Sequence, residues 1–88
     1  MTAAAEKLKA ICLDFLNQKI DLFDYLEAFA ETYAEVEDAL NDEEYEVFDQ
    51  ISEDNGMAIF ADAEYDADFA LSEEELREQV AQHLAALG

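Results

Sequence analysis

The sequence predicts an all-α fold: a compact antiparallel four-helix bundle with a long acidic loop between helices 3 and 4. Three observations predict it. The 88 residues contain no proline and few β-branched side chains, which favours helix over strand. Apolar residues recur at helical spacing in four separate stretches. The connections are short at the start of the chain, which favours antiparallel neighbours. There is no linker-like segment and no internal repeat, so residues 1–88 read as a single domain.

Leu8, Ile11, Cys12, Phe15 and Leu16 follow the i, i+3, i+4, i+7, i+8 stripe of a first helix over Ala3 to Leu16. Asn17, Gln18, Lys19 and Ile20 connect it to the next, with Asp21 as N-cap. The second helix aligns Leu22, Tyr25, Leu26, Phe29, Tyr33 and Val36 on one face, and Asp24, Glu27, Glu31, Glu35 and Asp38 on the other. Asn41 followed by Glu44 forms a capping box, opening a third helix with Tyr45, Phe48 and Ile51 inward. Asp54-Asn55-Gly56 reads as a stop signal, leaving Met57, Ile59 and Phe60 in a kinked continuation or a packed loop. Ala61 to Leu71 is acidic and aperiodic, with Tyr65 and Phe69 inside it. A second capping box, Ser72 with Glu75, starts a last helix striped by Leu76, Val80, His83, Leu84 and Leu87 and ended by Gly88.

The formal charge is −20, from 24 acidic and 4 basic side chains. With 52% hydrophobic residues the chain still has the apolar material to fold. Phosphates would be repelled, which excludes nucleic acid and anionic membranes as surface ligands. Cys12 is the only cysteine and His83 the only histidine, which excludes a disulfide scaffold and argues against a structural zinc site. With no signal peptide and no apolar run of membrane-spanning length, the expected location is the cytoplasm. The charge is unevenly placed: residues 31–88 hold nineteen acids and only Arg77, and no cation lies between Lys19 and Arg77. Such a one-signed field destabilises a compact state unless high salt or a use for the surface offsets it.

No catalytic constellation is present, and neither an enzyme nor a cofactor is expected. Ser52 and Ser72 lack a paired histidine, His83 lies at the edge of an apolar stripe, and Cys12 reads as a small buried hydrophobe. Residues Asp62 to Glu73 place acids at positions 1, 3, 5, 7 and 12 of a calcium loop and Phe69 at position 8, but Ala67 replaces the required glycine. The entering helix of that loop would also have to run through Gly56. An acyl carrier protein would need an Asp-Ser-Leu context, and neither serine has one. The use left for a one-signed acidic face is a basic protein partner, with Tyr65 and Phe69 as its aromatic anchors or, more plainly, as pins for the loop. Alternatives from other classes are a calcium-responsive or salt-adapted acidic module, and a phage-type DNA mimic that inhibits a host nuclease.

The segment from Phe15-Leu16 through Lys19-Ile20 to Phe23-Asp24-Tyr25 resembles the first helix, turn and second-helix start of the colicin D immunity protein family. The stretch from Phe60 through Phe69, Leu71 and Leu76 to Val80 and Leu84 is similar as well, although Ala58, Ala61 and Ala63 stand where that family tends to carry acids or proline. The resemblance implies a bundle that plugs the active site of a cognate tRNA-cleaving toxin in a 1:1 complex. It also implies that acids near the end of helix 3 and in the following loop replace tRNA phosphates. Mapped here, with the two aromatics, the toxin-binding residues are Glu53, Asp54, Asp62, Glu64, Tyr65, Asp66, Asp68 and Phe69. The toxin that the resemblance implies is a bacteriocin or the tip domain of a contact-dependent inhibition system.

Overall fold

The computed structural model describes residues 1–62 and 72–87. Four helices, α1 (Ala3–Leu16), α2 (Leu22–Val36), α3 (Asp42–Asp62) and α4 (Glu73–Ala86), form an all-α bundle, with one 3-10 turn at Glu37–Ala39. The described residues contain no strand.

Each stripe read from the sequence supplies the centre of the bundle. Leu8, Cys12 and Phe15 of α1, Tyr25 and Phe29 of α2, Phe48 and Ile51 of α3, and Leu76 and Val80 of α4 are fully buried. Burial of side chains of this size stabilises by about 1.5–3 kcal/mol each, the dominant favourable contribution here. The aromatic rings form a column: Phe15 stacks on Tyr25 with centroids 4.1 Å apart. Tyr25 then tilts against Phe29 at 5.9 Å, and Phe29 against Phe48 at 6.4 Å. α1, α2 and α3 are thereby fixed to one another through contiguous ring contacts.

Helix ends follow local chemistry. The Asp21 carboxylate accepts from the Asp24 N–H at 2.8 Å, as its N-cap reading requires. α1 ends with Gln18 at φ 60°, the one non-glycine residue in the left-handed region among those described. The Gln18 N–H donates to the Phe15 carbonyl at 3.1 Å and the Lys19 N–H to the Asp14 carbonyl at 2.8 Å. This is the Schellman pattern, formed without the usual glycine.

Two sequence expectations for the third helix are corrected. Asp54-Asn55-Gly56 does not end it; α3 runs on to Asp62, so Ala61 and Asp62 are helical and not loop. The side chain of Asn55 is buried and accepts a hydrogen bond from the Tyr25 hydroxyl at 2.8 Å. Ala58 is also buried one turn on, so the core stripe Phe48, Ile51, Asn55, Ala58 continues past the breaker. Gly56 does not take the left-handed conformation, and a Cβ there would meet nothing within 4 Å. Its cost in a helix, about 0.5–1 kcal/mol against alanine, is smaller than the gain from the burial it interrupts.

The second correction concerns phase. Tyr45 is not inward but 44% exposed, whereas Glu44 is buried at 3%. One residue turns a helix by about 100°, and the stripe that includes Phe48, Ile51 and Asn55 passes through position 44. Residues 63–71, which include most of the expected acidic loop, lie outside the described residues, as does Gly88.

Candidate functional site

The core claims one face of each helix and leaves the acids on the other. Asp24, Glu27, Glu31 and Glu35 of α2, Asp38 after it, and Asp42, Glu43, Glu46 and Glu53 of α3 are all exposed. Neither α2, the 3-10 turn nor α3 contains a lysine or arginine. Some of these acids suit helix electrostatics: Asp24 begins α2, and Asp42, Glu43 and Glu44 begin α3, where the dipole favours negative charge. Others oppose it. Glu37 and Asp38 follow the last turn of α2, where the dipole disfavours carboxylates by roughly 0.3–1 kcal/mol each. The excess of acid therefore exceeds what helix stability uses.

The cation of the later half turns inward. The Arg77 guanidinium lies over the Phe15 ring at 5.0 Å and pairs with Glu73 of its own helix at 3.5 Å. It ties α4 to α1 and leaves the acidic faces of α2 and α3 uncompensated.

The residues mapped as toxin-binding are only partly brought together. Glu53 is exposed on the outer face of α3. Asp54, its neighbour, points towards α4, where its carboxylate lies 2.9 Å from His83 Nε2, both side chains being about one-fifth exposed (18% and 21%). Asp54 is therefore part of the α3–α4 contact rather than free surface. Asp62 is the last residue of α3. Glu64, Tyr65, Asp66, Asp68 and Phe69 lie outside the described residues.

Of the calcium-loop pattern, the described part is Asp62 at the end of α3 and Ser72 and Glu73 at the start of α4, with Glu73 held to Arg77. The helix does run through Gly56 into position 1, while Ala67 and the intervening acids lie outside the described residues. Among the described residues no group of three or more His, Cys, Asp or Glu side chains is placed to hold a metal ion. No described helix is long and apolar enough to cross a membrane.

Two buried polar clusters escaped the sequence reading. The first lies where the N-termini of α1 and α3 meet. Glu44 Oε2 accepts from the Thr2 N–H at 2.9 Å, and Oε1 accepts from the Thr2 hydroxyl at 2.7 Å and the Asn41 N–H at 3.1 Å. Thr2 Oγ1 in turn accepts from the Ala5 N–H at 3.2 Å, capping α1. Burial pushes the Glu44 pKa up, but the Thr2 and Asn41 donors and the terminal ammonium outweigh it and hold the carboxyl below its ordinary value. The second cluster is Cys12, Tyr25 and Asn55. Burial pushes the Cys12 thiol up to about 12, despite the Tyr25 hydroxyl beside it, and raises Tyr25 above the ordinary tyrosine value. These groups stay neutral and hydrogen-bonded, a structural arrangement without acid–base capacity near neutral pH. The signal for the second cluster was present: extending the period of Phe48 and Ile51 puts Asn55 on the core face.

The chain matches no protein-family model, no curated protein and no solved structure.

Proposed function

We propose that this chain is an immunity protein: it binds the cationic nuclease domain of a bacterial toxin, an RNase, one-to-one and excludes RNA by occupying the phosphate sites. A single observation carries the reading. From Lys19 to Arg77 the chain bears twenty-one carboxylates and no cation, and Arg77 itself is engaged with Phe15 and Glu73. Acids at the C-terminal end of α2 weaken the helix, so the field is better explained by a partner than by stability. The family resemblance supplies the partner class. Complementary fields of this kind raise association rates by roughly 10 to 10³. Inhibition here needs no chemistry, only steric and electrostatic exclusion.

The test is to search the genes beside this one for a cationic nuclease domain and to co-produce it with the chain. The wild-type chain should restore growth, and the combined substitutions Asp62→Lys, Asp66→Lys and Asp68→Lys should remove protection while circular dichroism keeps its helical form. Full protection by the folded triple variant would remove the mapped loop from the contact. Absence of any cationic nuclease among the adjacent genes would overturn the reading. The association rate should fall steeply with added salt, since the field is screened over about 10 Å at 0.1 M.

A further inference from the structure

The described members of the mapped contact, Glu53, Asp54 and Asp62, lie in the C-terminal half of α3. A different surface, at the opposite end of the same helix, combines charge with aromatic rings. Tyr33 and Tyr45 face each other across the α2/α3 seam with ring centroids 6.4 Å apart and planes inclined by 36°. Tyr33 is backed by Phe29, stacked at 5.8 Å with planes 13° apart, and Phe29 is fully in the core. The pair is therefore rigidly mounted, while Tyr45 stays 44% exposed. The Tyr33 hydroxyl is enclosed and has no well-formed hydrogen bond, although the Tyr45 hydroxyl is beside it. The seam around it is negative. Glu37 and Asp49 stand four residues after Tyr33 and Tyr45, one turn along the same faces, and with burial and the Tyr45 hydroxyl they hold the Tyr33 pKa up.

We propose that the Tyr33–Tyr45 pair, with the Glu37 and Asp49 carboxylates beside it, is a docking site for an arginine side chain of the cationic protein partner. The inference rests on a cationic protein being the partner, not on that protein being an RNase. Arginine fits because its planar guanidinium stacks on an aromatic ring while its N–H fork reaches carboxylates, and a lysine ammonium matches only the charge. The chain offers no occupant from the neighbouring helices: α2, the 3-10 turn and α3 contain no cation. Phosphate-bearing ligands are repelled by the same carboxylates. Tyr45 and Asp62 lie seventeen residues apart on α3, about 25 Å along the axis.

The test uses the isotopically labelled full chain and two short acetylated peptides of alternating glycine with arginine or lysine. The arginine peptide should bind more tightly than the lysine peptide and shift the amide signals of Tyr33, Glu37, Tyr45 and Asp49. Tyr45→Ala and Asp49→Asn should each weaken arginine-peptide binding by roughly threefold to tenfold. Glu31→Gln, which removes the same charge from the outer face of α2, should weaken it less than Asp49→Asn. Equal binding of both peptides, or equal weakening by Glu31→Gln and Asp49→Asn, would overturn the site in favour of diffuse attraction. Tyr45 is at the surface, so thermal melts of its variant should stay near wild type. Undiminished toxin protection by the Tyr45→Ala/Asp49→Asn variant would overturn the seam as a partner contact and leave the immunity reading standing. Arginine-peptide docking by a wild-type chain that gives no protection would support the seam and overturn the immunity reading alone.

Discussion

The two capping boxes share one signature and differ in reach. Asn41 Oδ1 accepts from the Glu44 N–H at 2.8 Å, and Ser72 Oγ accepts from the Glu75 N–H at 3.2 Å. Both start a helix where the sequence says one should start. Glu75 is exposed, and its carboxylate accepts from the Ser72 hydroxyl at 3.1 Å, three residues away. Glu44 is buried and holds Thr2, forty-two residues away. Its charge sits between the N-termini of two helices, α1 and α3, and both dipoles favour a carboxylate there. The comparison separates what a motif encodes, a local helix start, from what its surroundings add, a long-range tie.

Glu44→Ala should break the comparison with the largest effect. It strands the Thr2 N–H and hydroxyl and the Asn41 N–H, and should cost about 3 kcal/mol in urea unfolding. Thr2→Ala removes the α1 cap and one donor to Glu44, and should cost about 1–2 kcal/mol. The double variant should cost less than the sum of the two, because both remove the same contact; strict additivity would refute the tie. Ser72→Ala should cost about 1 kcal/mol, the ordinary worth of an N-cap. Glu75→Ala should be smallest, within about 0.5 kcal/mol.

Acid titration sharpens the contrast. The Glu44 carboxyl is held below its ordinary value of 4.5, so its tie contributes stability above that pH and loses it as pH falls through the lower folded value. The urea midpoint should therefore decline as pH falls below about 4.5, and Glu44→Gln should flatten the decline. An equally steep fall in that variant would assign the acid limb to other groups.

Most of the fold was legible because its signals are local and periodic. Leu8, Cys12 and Phe15, or Leu76, Val80 and Leu84, declare a buried face by spacing alone, and Asp21, Asn41 and Ser72 declare helix starts by their side-chain oxygens. The end of α3 was not legible, because Asn55 and Gly56 are stop residues by local propensity and the overriding hydrogen bond comes from Tyr25, thirty residues away. Tyr45 misled for a similar reason: an aromatic at the edge of a stripe reads as core, and a glutamate does not read as buried unless its distant donor is known. The surface was legible as charge but not as a site. Asp54 looked like one of many free acids until His83 met it from α4. Arg77 was legible only as the one cation after residue 30, yet it lies over Phe15.

Cys12, fully enclosed between the helices with a thiol pKa near 12, has a practical consequence. The thiolate is the form that reacts, so a disulfide reagent near neutral pH should modify only molecules that have opened around α1. Labelling rates in native buffer would then report how often the bundle opens, with no denaturant and no engineered cysteine. A bound partner that recognises the closed form should slow that reaction in proportion to its occupancy, so the same cysteine can read out affinity.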